Sequence, residues 1–269
     1  MAKQLLFYEL VTPISQARHA DWSVKSDNRY TFAAEANSVP LMTVEFVAAA
    51  HEYPIVFAAD AENVLPVAVM GIDPNKSLFV GADGTWGSSY IPAFVRRYPF
   101  VFSASEDGQT LTLCIDESFE GFDRKGATGQ RLFAETGERT PYLESMLQFA
   151  NAFQGEHQRT RAFCNLLKEL DILEPSEANI TLPDGAKRSL TGFQCVSREK
   201  LKALDADKLA SMVGNDALEL IYLHLYSMRN FEGLLRKLTM TEAPGAVADP
   251  SAETPPVRQK VTNGATAPA

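Results

Sequence analysis

The chain has 269 residues, 45% of them hydrophobic and 22% charged, enough to bury a sizeable core without disulfide or metal staples. With 34 acidic against 25 basic residues and a formal net charge of −9, it lacks the basic surface that general nucleic-acid or anionic-membrane binding requires. No apolar run approaches the ~20 residues of a membrane span, so membrane insertion is excluded as well.

The N-terminal apolar run is short, contains Tyr8 and Glu9 and has no small-residue cleavage site, so no signal peptide is expected. Residues 1–40 are polar and weakly periodic, with His19, Trp22 and Tyr30 scattered through them. They read as an ordered but irregular arm packed on the main body. Strand signals follow at residues 53–58 and 64–70, joined by a hairpin connection, and then at 77–80, 100–104 and 110–115, with a turn at 106–109. Pro54 and Pro66 are expected at strand starts or edges, where no ladder donor is needed.

The period then changes. Thr140 and Pro141 form an N-cap and first-turn pair, and apolar residues at three- and four-residue steps predict one long helix to about Leu170. A second hairpin is predicted from strands at 179–182 and 188–196. Ser197 and Asp205 are expected to cap short helices at 198–204 and 206–213, the second ended by Gly214. Residues 216–238 carry leucines around most of the circumference, which predicts one buried, central helix. Beyond Met240 the chain is rich in Pro, Ala and Thr without any aromatic residue, the composition of a disordered tail. The fold class is α+β: a mainly antiparallel sheet packed against long helices, with one domain over residues 1–240 and a tail over 241–269.

The most informative stretch is residues 81–100. A Gly-rich loop carrying Trp86 and Tyr90 leads into a helix started by Pro92 and closed by Arg96 and Arg97. Pro99 disfavours helical geometry at Tyr98, which limits that helix to about two turns. Helix geometry separates the two arginines by about 100°, so one is expected inward and one outward, with Arg97 on the face of Phe94 and Tyr90. Trp86, Tyr90, Arg96, Arg97 and Tyr98 form the candidate binding site, since Trp, Tyr and Arg dominate binding hot spots. Internal pairing of the arginines at the helix end is the competing structural reading.

Other constellations carry less. Residues 121–128 nearly spell a phosphate-binding loop, but Ala127 stands where its lysine belongs, so a Gly-rich connection is the better reading. Asp116, Glu117, Glu120 and Asp123 read as a solvated acidic loop, ahead of a salt bridge to Arg96 or Arg97 and well ahead of a metal site. His51 and Glu52 lack the second histidine of a zinc protease, while His157 and His224 read as core histidines. Ser88 and Ser89 lack a nucleophile elbow. Cys114 reads as an inert thiol whose pKa neighbouring carboxylates raise. With Cys164 and Cys195 it makes three widely spaced cysteines, expected as free thiols of a cytoplasmic chain. No catalytic residue, metal or cofactor is expected.

Residues 45–57, 66–71, 86–100, 192–201 and 217–225 together resemble the SapC-like family of bacterial proteins, the block from Trp86 to Phe100 being the most specific. The likeness spans residues 5–238. This family takes its name from a protein encoded with surface-layer genes and is distinct from a similarly named peptide-transport permease. Its members often lie beside genes for TonB-dependent outer-membrane receptors, cupin-like hydroxylases and tryptophan-halogenase-like flavoproteins. The resemblance supplies no catalytic residues. It implies an accessory protein with a protein partner in nutrient uptake or protein modification. The alternative is a small-ligand-binding protein or enzyme with a pocket around residues 86–97.

Overall fold

The computed structural model describes residues 6–25, 29–59, 63–104, 111–182 and 185–242. Its elements begin with strand β1 (Val11–Pro13), helix α1 (Gln16–His19), β2 (Ser23–Val24), β3 (Ser38–Pro40), α2 (Phe46–Ala49), β4 (Ile55–Ala59) and β5 (Val64–Val69). Next come α3 (Ala93–Arg96), β6 (Phe100–Ala104), β7 (Leu111–Asp116), β8 (Phe122–Asp123), β9 (Gln130–Arg131) and α4 (Pro141–Glu169). The chain continues through β10 (Leu173–Thr181), β11 (Lys187–Val196), α5 (Arg198–Lys202), α6 (Ala206–Gly214), α7 (Ala217–Ser227) and α8 (Phe231–Glu242).

The strands pair antiparallel in three sheets, ordered β10-β11-β4-β5-β3, β1-β7-β6 and β8-β2-β9. The architecture is α+β. In β4 the consecutive residues Ile55, Val56 and Phe57 are all buried, so both faces of that strand are covered. Helix α4 packs on β5, and α7 packs on β4 and β11. The first turn of α4 places Leu143 in a separate core with Trp22, Phe100 and Phe122, whereas Phe153, Phe163 and Leu167 enter the main core. One long helix therefore links the two apolar clusters.

Both predicted hairpins form. The first joins β4 to β5 in the register Val56↔Val67. Pro66 lies in an interior strand, not at an edge: β5 sits between β4 and β3. The carbonyl of Pro66 accepts the Leu41 N–H at 2.9 Å, just past the last β3 pair, Pro40↔Val67. The missing Pro66 N–H therefore faces the end of β3, where no ladder bond is lost. In the second hairpin β10 starts earlier than the apolar pattern indicates, at Leu173. Glu174, Glu177 and Asn179 are exposed, as an edge strand permits, and this hides the strand from a hydrophobicity criterion. The hairpin tip at 183–184, the turn at 106–109 and the tail from residue 243 lie outside the described residues.

Helix α4 begins as predicted, with Thr140 Oγ1 accepting the Leu143 N–H at 3.3 Å. Ser197 and Asp205 occupy their N-cap positions, but neither side chain makes the capping bond.

Three expectations are corrected. Residues 77–80 are not a strand: Ser77 N bonds to Ala34 O, Leu78 N to Met70 O, and Phe79 O accepts Gly87 N. Bonds to three unrelated segments are not a ladder, and Val80 alone bridges to Trp86. The arm at residues 1–40 supplies a strand to each of the three sheets, in pieces too short to show a period. Residues 216–238 are not one central helix. A 3₁₀ turn, Met228–Asn230, separates α7 from α8, and Tyr222 and Tyr226 are exposed. Asn230 in that turn donates to the carbonyls of Ala50 at 2.8 Å and Tyr53 at 3.0 Å, a long-range tie that satisfies buried backbone acceptors far away in the chain.

Candidate functional site

The loop preceding α3 is shaped by its own backbone. Gly81 N bonds to Thr85 O at 2.9 Å, and the Asp83 carboxylate accepts Thr85 N and Oγ1 at 3.0 and 2.7 Å. Gly84 has φ of 83°, and a Cβ there would lie 2.9 Å from the Thr31 methyl, so both conformation and space require glycine.

This loop delivers Trp86 onto the buried Tyr53. The indole Nε1 donates to Tyr53 Oη at 3.0 Å and to Tyr90 O at 3.2 Å, while the Tyr53 hydroxyl donates to Tyr90 O. Tyr90 is tied down in turn: its hydroxyl donates to Glu45 Oε1 at 2.7 Å. Glu45, 4% exposed, also accepts Ala93 N at 2.7 Å and Met42 N at 2.8 Å. One buried carboxylate thus holds the start of α3 and the phenol above it. Burial, then the Glu45 charge, raise the Tyr90 pKa well above its usual value.

The two arginines part as helix geometry requires. Arg96 is exposed, with Nε donating to Ile91 O at 3.0 Å and its guanidinium 5.8 Å from the Tyr90 ring and 5.4 Å from Phe149. It is Arg96, not Arg97, that shares a side with Tyr90. Arg97 is 8% exposed and lies against Phe94 at 4.3 Å, Phe153 at 4.5 Å and Tyr8 at 5.7 Å. Its Nε has no hydrogen-bond partner, and no carboxylate among the described residues pairs with it. Burial lowers its pKa, with Tyr8 acting in the opposite sense. Tyr98 turns a third way, stacking on Phe32 at 4.1 Å and donating to Asp116 Oδ2 at 3.3 Å. The structure therefore brings Trp86, Tyr90 and Arg96 together and sends Arg97 and Tyr98 elsewhere.

The acidic stretch is solvated only in part, with Glu120 exposed and Asp123 half-buried. Asp116 is 0% and Glu117 5% exposed, and neither meets Arg96 or Arg97. Asp116 accepts the backbone N–H groups of Glu9, Leu10 and Ser118 at 2.8, 2.9 and 3.1 Å and the Ser118 hydroxyl at 2.6 Å. Burial pushes its pKa up, but Ser118 and the Glu9 and Leu10 amides outweigh it, so the net displacement is downward. Glu117 accepts Thr12 Oγ1 at 2.6 Å, Arg18 Nη2 at 2.6 Å and His19 Nε2 at 3.1 Å. The Arg18 bond is the main reason its pKa falls to about 2. Donors from the N-terminal arm, about a hundred residues away in the chain, stabilise both charges. No spacing in the sequence announces that pairing.

The remaining candidates are structural. Asp123 accepts Lys125 N and Thr128 N at 3.0 Å each, so the phosphate-loop lookalike spends amides on its own carboxylate. His224 is fully buried, its Nε2 accepting Val196 N at 3.1 Å and its Nδ1 lying 2.6 Å from Ile55 O. Burial pushes its pKa down to about 4. His157 is half-buried, and burial followed by Arg161 and Arg97 lowers its pKa. Cys114, Cys164 and Cys195 are free thiols. Burial, not nearby carboxylates, pushes the Cys114 thiol up, and it pushes Cys164 to about 12. Among the described residues no cluster of His, Cys, Asp or Glu could hold a metal ion, and no helix is long and apolar enough to cross a membrane.

A model of the SapC family matches residues 14–234. Neither a curated protein nor a solved structure matches the chain. The matched span takes in every strand except β1, together with the 81–100 segment and the buried acidic pair, and the chain belongs to the SapC family.

Proposed function

We propose that this chain is a non-enzymatic accessory protein that binds a protein partner through the surface formed by Trp86, Tyr90 and Arg96, while Arg97 and Tyr98 pack into the body on other sides. On the family resemblance, the partner belongs to outer-membrane nutrient uptake or is a cupin-like hydroxylase or halogenase-like protein, met in the cytoplasm.

The observation that carries this reading is the state of Arg96. Its guanidinium is exposed, held over two aromatic rings by its own bond to Ile91 O, and makes no salt bridge among the described residues. A pre-set, unpaired guanidinium on an aromatic platform is the composition of an interface hot spot, ready for a partner carboxylate or carbonyl. Among the described residues the buried histidines and carboxylates are committed to structural bonds. His19 and His224 use both ring nitrogens, and Glu45, Asp116 and Glu117 are saturated by structural donors, whereas a general base needs a free lone pair facing substrate. An enclosed pocket around residues 86–97 has less support, because cavities of about 380, 520 and 770 Å³ touch residues 86–98 only at Tyr98.

The test compares wild type with Arg96→Ala and Arg96→Lys in capture from native cells, read by quantitative mass spectrometry, with thermal melting as control. Arg96→Ala should melt like wild type and lose at least about tenfold of a specific partner, with Lys rescuing partly because it cannot stack as a plane. Equal capture by wild type and Arg96→Ala would sink the assignment.

A further inference from the structure

A cavity of about 770 Å³ lies where the N-terminal segment, the turn around residues 31–36 and the loop after β7 converge. Its lining is mixed, with polar side chains beside the aromatic Phe7, Tyr8, Phe32, Tyr98 and Phe119. Phe32 and Tyr98 stack at 4.1 Å, with Phe119 standing at 87° and 83° to them and Phe7 at 89° to Tyr98. The rings pack on one another as one aromatic cluster at the cavity wall.

Among the described residues the charge of the lining has one sign. Glu9, Glu35 and Glu120 are exposed on it, and among the described residues no Lys, Arg or His lines the cavity. None of these three carboxylates pairs with a cation among the described residues. Behind the wall the Tyr98 hydroxyl donates to the buried Asp116, which enriches the electron density of that ring. Asp116 keeps its charge there because the amides of Glu9, Leu10 and Ser118 hold it.

An anion is repelled by such a lining. A hard metal ion needs six or more oxygens converging within about 2.6 Å, and the described carboxylates do not cluster that way. A weakly hydrated organic cation fits both features, since ring quadrupoles attract it and carboxylates at the rim raise its local concentration. We infer that this cavity binds an organic ammonium ion, free or as the methylated side chain of a peptide, at a site separate from the Arg96 surface.

Isothermal titration of the full chain with choline and with trimethyl-lysine tests this, beside the neutral isostere of choline in which carbon replaces the quaternary nitrogen. Expected is saturable binding of at least one cation with Kd of about 1 mM or tighter, and binding of the isostere weaker by about tenfold or more. Phe119→Leu, which keeps apolar bulk but removes the ring, should weaken cation binding about tenfold. Glu120→Gln, on the exposed rim, should weaken it about threefold and flatten its salt dependence. Arg96→Ala should bind the cation like wild type, so a missing protein partner and a missing cation site are separate results. No saturable binding of either cation up to about 10 mM, equal affinity for the isostere, or unchanged affinity in both Phe119→Leu and Glu120→Gln would each overturn the inference. Should Phe119→Leu fail to melt cooperatively, the isostere and Glu120→Gln still decide.

Discussion

The guanidinium of Arg97 lies 4.5 Å from the centre of the Phe153 ring, a buried cation held by aromatic faces with no carboxylate opposite it among the described residues. Its position joins α3 to the middle of α4. The charge gains little there, because burial opposes it and Nε is left without a partner.

Arg97→Met should therefore melt at or above the wild-type temperature, since an apolar chain of similar length keeps the packing and removes the desolvation cost. Arg97→Ala should lose about 1–3 kcal/mol through the void it leaves. Urea unfolding of both variants checks this. A loss above about 3 kcal/mol in Arg97→Met would mean that the charge itself is needed.

Glu45 is the opposite case, a buried carboxylate serving only neutral donors. Glu45→Gln replaces one acceptor oxygen with an NH₂ group facing Ala93 N, Met42 N or the Tyr90 hydroxyl, and should cost about 1–3 kcal/mol. Because Tyr90 is the platform under Arg96, the same change should weaken partner capture. A variant of wild-type stability would show that α3 is held by other contacts.

Acid should destabilise the fold in two steps. His224 titrates at about 4 when folded against an ordinary 6.5, so the unfolded chain takes up its proton first as pH falls. The corresponding stability is complete above 6.5 and declines toward the folded value, by about 3 kcal/mol in all. Glu117, lowered from 4.5 to about 2, adds stability that is present above 4.5 and is lost as pH falls through about 2. Urea unfolding at about pH 7, 5.5 and 4 should show a steady fall, with the first step missing in His224→Gln. A flat profile over that range would rule out a neutral, buried His224.

Gly84→Ala should destabilise by about 1–3 kcal/mol, because it forces a side chain into positive φ and against Thr31. Melting followed by tryptophan fluorescence tests it, since Trp86 lies two residues on. Wild-type stability would show that the loop can relax.

What the sequence determined by itself is local. The start of α4 at Thr140 and Pro141, the β4–β5 hairpin and the parting of Arg96 from Arg97 follow from capping chemistry, period and the helix angle, each acting within a few residues. The composition of residues 86–100 marked the family as well. Only the tertiary structure decided partners. Asp116 and Glu117 look like solvated charges until Glu9, Leu10, Thr12 and Arg18 arrive from the far end of the chain. Arg97 looks like half of a salt bridge until Phe94 and Phe153 enclose it. Residues 216–238 look like one buried helix until Asn230 bonds to Ala50 and Tyr53, between α2 and β4. Phe7, Phe32, Tyr98 and Phe119 become a cavity only after three distant segments converge. Short-range preferences bias each residue's own backbone, but which side chains meet depends on contacts between residues far apart in the chain, and no spacing in the sequence records them.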